Sequence, residues 1–278
     1  MYGGEVSETG AEPLRITWLG HSTVLVELGG MRLITDPLLR SRVAHLRRVV
    51  ALPDESTFAK LDAMLVSHIH CDHLDRTSLR RLSRSLRVVV PAGAAGLLRE
   101  CGLSRVVEVE VGDELKLGSL TIRATYAEHD GGRGPFGPNA PAVGYIVAGS
   151  QSVYFAGDTD LFDGMDRLAP DLDVALLPIA GWGPRLPAGH LDPMRAAEAL
   201  VRLRPRVAVP IHWGTYRRFG LTRGPAFLQA PPESFARCAR ELAPEVDVHV
   251  LPVGGTLTLS RVRLSPDVAG IRASPASS

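Results

Sequence analysis

The sequence has few cysteines and almost no net charge. Its 278 residues include three cysteines, Cys71, Cys101 and Cys238. They form no even, closely spaced set, which argues against a disulfide-stapled secreted domain and is typical of a reducing compartment. Lysine and arginine number 31, aspartate and glutamate 30, and the net charge is +1. The chain therefore carries no overall field that would require a nucleic acid or an anionic membrane as partner.

Long apolar runs are also absent. The first residues, MYGGEVSETGAEP, lack the basic start and apolar stretch of a signal peptide, and no later segment reaches the roughly 18 apolar residues of a membrane helix. We expect a cytoplasmic protein without a transmembrane segment, with peripheral membrane contact left open. The hydrophobic content of 45% is nevertheless enough for a sizeable core.

Composition and periodicity divide the chain into one domain and two tails. Residues 1–13 and 264–278 are expected to be flexible, and 14–263 to fold. Strands are predicted at RITWL, STVLVEL, MRLITD, DAMLVS, VVV (88–90), RVVEVE, LTIRATYA, AVGYIVAG, QSVYFAG, LDVALLP, RVAVPIH and VDVHVLP. Helices are predicted over 76–87 and near 93–101, 161–168, 193–203 and 231–242. This α/β mixture predicts two sheets packed face to face and flanked by helices.

One short segment concentrates groups that bind metals. SHIHCDHLD places His68, His70, Asp72 and His73 within six residues, after an apolar strand and before a helix. Imidazole and carboxylate are ligands that zinc accepts, and a loop leaving a strand can direct several of them at one point. The alternative is a His-rich surface loop or a set of buried structural histidines. That alternative is less favourable, because such imidazoles repel when protonated and need hydrogen-bond partners when buried.

This motif resembles the HxHxDH signature of the metallo-β-lactamase superfamily. His129 in YAEHD, Asp158 in FAGDTD and His212 in VPIHWGT stand in matching contexts, each after a predicted strand. The resemblance implies a four-layer αββα sandwich of two mixed sheets flanked by helices. It also implies two metal sites that share Asp158 as a bridging ligand, with these other ligands: His68, His70 and His129 for one metal, and Asp72, His73 and His212 for the other.

The chemistry implied by the resemblance is hydrolysis at two Zn²⁺ ions, with Mn²⁺ or Fe²⁺ as other options. Two such cations lower the pKa of a bridging water and supply hydroxide as the nucleophile. Asp72, Asp158 and His190 are the expected catalytic residues, and Cys71 is expected to be a packing residue. Members of the superfamily that reduce oxygen with iron carry Glu where this chain has His70, so hydrolysis is favoured over redox chemistry.

Four stretches resemble more closely the branch of N-acyl-phosphatidylethanolamine phospholipase D and the ascorbate-phosphate lactonase-like proteins. They are TWLGHSTVLVE (17–27), TDP (35–37), GHLDPMRAAEA (189–199) and IHWGTY (211–216). The resemblance implies that Asp36 orients a ligand imidazole and that His190 contacts substrate or leaving group. Two alternatives remain: Asp36 as a plain turn residue, and GHLDP as a helix start capped by Asp192. His21 is either a partner of the ligands or a structural histidine.

The substrate is the least determined feature. Arg217 and Arg218 follow His212 and are the best candidates for contacts to a substrate anion. They favour a phosphodiester or a phosphorylated small molecule, while a lactonase or ester hydrolase would need the same metal site. A non-catalytic metal-binding regulatory module is the alternative of another class. We expect a small-molecule substrate and no nucleic-acid partner, and the oligomeric state stays open.

Overall fold

The protein is described by a computed structural model that covers residues 12–134, 137–181, 186–220 and 226–260. The tails predicted at 1–13 and 264–278 lie outside the described residues, apart from residues 12 and 13.

The first half of the described chain contains eight strands: β1 Leu14–Gly20, β2 Thr23–Leu28, β3 Met31–Thr35, β4 Arg42–Val43, β5 Leu46–Arg48, β6 Ala63–Leu65, β7 Arg87–Pro91 and β8 Val106–Val109. Nine more follow: β9 Glu114–Leu117, β10 Leu120–Tyr126, β11 Val143–Ala148, β12 Ser152–Phe155, β13 Val174–Pro178, β14 Val207–Ile211, β15 Tyr216–Arg218, β16 Asp247–Val248 and β17 Thr256–Leu259.

The strands form two large sheets and one small one. The first large sheet has the order β17-β1-β2-β3-β6-β7-β8, and the second has the order β16-β14-β13-β12-β11-β10-β9. In each sheet, antiparallel pairs meet a parallel block, which is β3-β6-β7-β8 in one and β12-β13-β14-β16 in the other. The small sheet, β15-β5-β4, is antiparallel.

Side chains alternate between the two faces of each large sheet and so build a layered core. Ile16, Val24 and Leu65 meet Tyr145 and Leu176 between the sheets. The helices are α1 Arg76–Leu79, α2 Ala95–Arg99, α3 Pro193–Leu203 and α4 Ala226–Leu242. The outer face of the first sheet packs against residues of α1 and α2, and the outer face of the second sheet packs against α3 and α4. The predicted four-layer αββα sandwich is confirmed.

Two helix predictions were too long, for local reasons. The helix expected over 76–87 ends at Leu79 and gives way to turns, in which the Arg81 N–H donates to the Ser78 carbonyl at 3.0 Å and the Leu82 N–H to the Leu79 carbonyl at 3.1 Å. Farther on, the Ser83 hydroxyl accepts from the Ser85 N–H at 3.4 Å, a local bond that competes with helix formation. The leucines of this segment are nevertheless buried, because turns place them in the core. Near 161–168 the structure has a short 3₁₀ turn, Met165–Arg167, preceded by Gly164 with φ of 90°.

The other helices agree more closely with the sequence. The helix at 193–203 has the predicted bounds, and Asp192 caps it by accepting from the Arg195 N–H at 2.9 Å. Helix α4 begins five residues before the predicted start and continues through Pro231 and Pro232. None of the described helices is both long and apolar enough to span a bilayer.

Candidate metal centre

The predicted ligands and Asp36, which is expected to orient one of them, lie in loops that leave the ends of strands at one edge of the sandwich. Asp36 follows β3, the His68–His73 motif follows β6, Asp158 follows β12, and His212 follows β14. Because the carboxyl ends of parallel strands meet at the same edge of a sheet, these loops converge. The structure brings all seven predicted ligands together there, and His21 and His190 join them.

Three imidazoles form the first group. His70 Nδ1 lies 3.0 Å from His68 Nε2 and 3.2 Å from His129 Nε2. His129 Nδ1 donates to the Gly189 carbonyl at 2.8 Å, so its Nε2 is left with a lone pair directed at the group. Ligands on one tetrahedral zinc ion, with bonds of about 2.1 Å, stand about 3.4 Å apart. The triangle of nitrogens is close to that spacing.

The second group contains His73, His212, Asp72 and His21. His212 Nδ1 donates to the Ala180 carbonyl at 2.7 Å, and His73 Nδ1 donates to Asp36 Oδ2 at 2.7 Å. In neutral imidazoles these bonds leave both Nε2 atoms with lone pairs, which face each other at 3.3 Å. Only a proton or a cation between them makes that contact favourable, and a metal ion is the usual occupant of such an arrangement. His21 Nε2 lies 3.1 Å from Asp72 Oδ2 and so holds that carboxylate in place.

Asp158 contacts the second group and, together with His190, lies close to His129 of the first group. Its oxygens are 3.2 Å from His73 Nε2, 3.3 Å from His212 Nε2 and 3.5 Å from His190 Nε2. The residue is 3% exposed, and Oδ1 has no hydrogen-bond partner within the described part of the chain. Burial alone would raise its pKa, but His212 and His73 bring that pKa well below the ordinary value. A buried carboxylate with an unsatisfied oxygen fits a metal ligand.

Most of the buried imidazoles are kept neutral, as cation binding requires. Burial lowers the pKa of His68 well below its usual range and lowers that of His212 to about 3. His73 behaves differently: burial would lower its pKa, yet the carboxylates of Asp158 and Asp36 raise it well above the ordinary value. The field that attracts a proton to His73 attracts a divalent cation more strongly, because the cation carries twice the charge. The donor set therefore fits metal binding.

Three of these residues have left-handed backbone. The φ angles are 55° at His21, 32° at Asp36 and 63° at His212. Such conformations cost about 1–3 kcal/mol each and persist where surrounding contacts hold them. Here the His212 N–H donates to the His21 carbonyl at 2.9 Å, and the His21 N–H donates to Thr215 Oγ1 at 2.7 Å. These bonds fix the direction in which both rings point.

A cavity of about 470 Å³ opens onto the two groups. Its floor includes Asp72, Asp158, His190 and His212, and its walls come from β4, β5 and the loop around Arg133. Cys71, expected to be a packing residue without a role as a ligand, is exposed and lines this cavity.

The arginines near the metal centre differ from those expected. Arg217 lines a different cavity, and Arg218 is not among the residues that line this one. Arg133 lines the cavity at the metal centre, and its Nη2 donates to the Leu74 carbonyl at 2.7 Å. The sequence signal for Arg133 was its position four residues after His129, in a loop rich in Gly and Pro.

Comparison with known proteins identifies the family. Residues 31–213 match the sequence profile described as the β-lactamase superfamily domain. The chain belongs to the metallo-β-lactamase superfamily. Within this superfamily it groups with metal-dependent hydrolases, such as one from Caldivirga maquilingensis, to which it is 30% identical over 88% of this chain and 97% of that protein.

Two further proteins are similar to this chain. An N-acyl-phosphatidylethanolamine-hydrolyzing phospholipase D of Caenorhabditis elegans is 32% identical over 76% of this chain and 65% of its own length. The solved structure of Igni18, a metallo hydrolase from Ignicoccus hospitalis, superposes with a TM-score of 0.70 at 27% identity. That alignment covers 90% of this chain and all of Igni18 (100%). The predicted resemblance to the superfamily is confirmed.

Replacing Asp36 by alanine is expected to weaken metal binding by about 10- to 100-fold, the usual effect of losing a group that orients a ligand imidazole. Asp36 is fully buried and accepts from His73 Nδ1 at 2.7 Å, Ser67 N at 2.7 Å and Ser67 Oγ at 2.5 Å. Without it His73 can rotate and change tautomer. Competition with a chromophoric chelator measures the affinity.

The control for this variant is Asp173→Ala. Asp173 accepts from Ser152 and Arg206 at the amino end of β13, the end opposite the metal centre. Its loss should lower the melting temperature and leave metal affinity unchanged. Equal metal affinity in Asp36→Ala and the wild type would show that Asp36 does not orient His73.

Proposed function

We propose that the protein is a binuclear zinc-dependent hydrolase that acts on a phosphodiester or a phosphorylated small molecule. The position of Asp158 carries this proposal. One buried carboxylate contacts His73 and His212 at 3.2 and 3.3 Å and also groups with His129 of the first imidazole triangle. A carboxylate shared by two groups of ligands is what a bridged pair of cations requires. Mn²⁺ and Fe²⁺ are other metals that this donor set accepts.

Two cations bound there would lower the pKa of a water molecule and polarise the scissile phosphoryl or carbonyl oxygen. His68, His70 and His129 would hold one of them, and Asp72, His73 and His212 the other, with Asp158 shared. The carbonyls of Gly189 and Ala180 fix the ring tautomers of His129 and His212, so the coordinating nitrogens are set before a substrate arrives. His190 Nδ1 lies 3.2 Å from the Pro187 carbonyl, which leaves Nε2 directed toward Asp158 and the cavity.

Arg133 supports an anionic substrate. Its guanidinium is half-buried in the wall of the cavity and is anchored through one N–H group on Leu74, so the other N–H groups are available to an oxyanion. The relative from Caenorhabditis elegans, named for hydrolysis of N-acyl-phosphatidylethanolamine, supports the same substrate class. The apolar wall formed by Val43, Leu46 and Leu186 favours a second candidate, a lactone or other uncharged ester. A cavity that opens onto the ligand groups argues against a purely regulatory module.

Parallel assays of a phosphodiester and a lactone by the metal-loaded protein test this proposal. We expect turnover of bis(p-nitrophenyl) phosphate, and in Arg133→Ala a KM for that substrate raised by about tenfold, because a hydrogen bond to a charged group contributes about 1.5 kcal/mol or more. Arg237→Ala, which removes an exposed cation from α4, is the matched control. Turnover of the lactone alone would replace the first candidate by the second.

A further inference from the structure

A second and larger cavity lies apart from the metal centre. Its volume is about 940 Å³, and among the described residues it shares no lining residue with the cavity above the metal ligands. Its walls come from β5 with the segment that follows it, from the loop after His212, and from α4. Nothing in the proposed hydrolysis uses this space.

Two arginines on the small sheet face each other in this cavity. Arg47 and Arg217 are direct partners across β5 and β15, and both line the cavity. Arg42 is the partner of Arg47 on the other side, so three like charges stand side by side on one face of the sheet. Like charges directly opposite one another destabilise a sheet. No ion pair to any of the three occurs within 12–134, 137–181, 186–220 and 226–260, so their positive charges are not neutralised by a carboxylate of the described chain.

A further arginine, Arg48, belongs to the cavity lining and is buried. Arg48 is 6% exposed, and its guanidinium donates to the carbonyls of Leu19 at 2.6 Å, Ala51 at 3.2 Å and Leu38 at 3.3 Å. Its other contact is with Tyr216, whose ring lies 5.6 Å away and whose hydroxyl lies at 3.5 Å. All these partners are neutral, so the positive charge of Arg48 adds to that of Arg47 and Arg217. The described lining includes no carboxylate.

The remaining wall is mostly aliphatic. It is formed by the run Val49–Pro53, by Leu228 and Val253, and by the half-buried ring of Trp213, which stacks on Trp18 at 4.8 Å. Val49 and Leu52 are 40% and 42% exposed and so offer apolar surface to a ligand in this cavity. Gln229 is the single described lining side chain with an amide that could recognise a base edge.

We propose that this cavity binds an anionic amphiphile, with a phosphate or carboxylate head against Arg47 and Arg217 and an aliphatic chain along Val49–Pro53 and Leu228. The paired arginines supply the charge complementarity, and the aliphatic wall supplies the surface for the chain. A nucleotide shares the anionic head, but the wall offers its base little beyond Trp213 and Gln229. The amphiphile is either free in solution or part of a bilayer.

Calorimetric titration of the full chain with monomeric dodecyl phosphate tests the proposal. We expect 1:1 binding to the wild type and at least tenfold weaker binding to Arg47→Ala/Arg217→Ala. Arg218→Ala/Arg237→Ala removes the same charge elsewhere, because Arg218 pairs with Leu46 on the other face of the sheet and Arg237 lies on α4. This control should bind like the wild type, and a melting curve for each variant confirms that it folds.

Further probes distinguish a bilayer from a free amphiphile and give the outcomes that would overturn the proposal. Co-sedimentation with phosphatidylcholine vesicles containing phosphatidylglycerol, if it depends on Arg47 and Arg217, identifies a bilayer as the source, and binding of dodecyl phosphate alone identifies a free amphiphile. Undiminished binding of both probes by Arg47→Ala/Arg217→Ala overturns the proposal. It is also overturned if inorganic phosphate, octyl glucoside or adenosine monophosphate binds as tightly as dodecyl phosphate. Loss of dodecyl phosphate binding in Asp158→Ala would place the probe at the metal centre and would overturn it as well.

Discussion

Replacing Asp158 by alanine is expected to reduce hydrolysis by about a thousandfold or more and to lower the metal content below two ions per chain. The carboxylate contacts His73 at 3.2 Å and His212 at 3.3 Å in the second group of ligands, and it also lies close to His129 of the first group. Its loss removes both a ligand and a buried negative charge that offsets the cations. A loss of about 4 kcal/mol of charge stabilisation corresponds to roughly that fall in rate. Elemental analysis and initial rates, measured on the same samples, check the two effects together.

Asp158→Asn is the matched variant, because it preserves shape and removes the charge. It should retain more metal than the alanine variant, since an amide oxygen can still coordinate, and should remain strongly impaired. The proposal of a bridged pair is wrong if Asp158→Ala keeps two metal ions and wild-type activity. Thermal unfolding of each metal-free protein separates loss of the site from loss of the fold.

The HxHxDH run after an apolar strand could be recognised as a metal-binding segment from its residue types. His129, Asp158 and His212 stand alone in the sequence, and they were expected at the site because of the resemblance to the superfamily. The contact of His21 with Asp72 joins residues 51 positions apart. It depends on the irregular pairing of β1 with β2 between Trp18 and Gly20 and on left-handed backbone at His21. Neither feature follows from residue type alone.

The arginines show where sequence reasoning failed. Arg217 follows His212 closely, which suggested a contact with the substrate, but it lies on β15, where pairing with β5 turns it toward Arg47 and the other cavity. Strands of two or three residues, such as β4, β5 and β15, carry too little periodicity to be predicted. Their pairing between distant segments therefore decided which arginine faces which cavity.

Replacing His190 by alanine is expected to lower kcat by about a hundredfold or more on a phosphodiester with an alkyl leaving group, while metal content stays unchanged. His190 is 16% exposed, lines the metal-site cavity, and holds Nε2 at 3.5 Å from Asp158 Oδ2. A positioned acid contributes about 10²–10⁴-fold when a poor leaving group needs a proton. A p-nitrophenyl leaving group departs without one, so the same variant should lose much less activity on that substrate.

His190→Gln distinguishes the two roles open to this residue. Glutamine can donate a hydrogen bond but cannot transfer a proton. If His190 acts as an acid, His190→Gln should be as slow on the alkyl substrate as His190→Ala. If His190 acts only as a hydrogen-bond donor, His190→Gln should restore the rate. Equal losses on both leaving groups would mean that His190 positions Asp158 instead of protonating the departing oxygen. The ring centroids of His190 and His129 are 4.7 Å apart, so metal content is measured in each variant. A fall in metal content would assign the loss of activity to the metal centre.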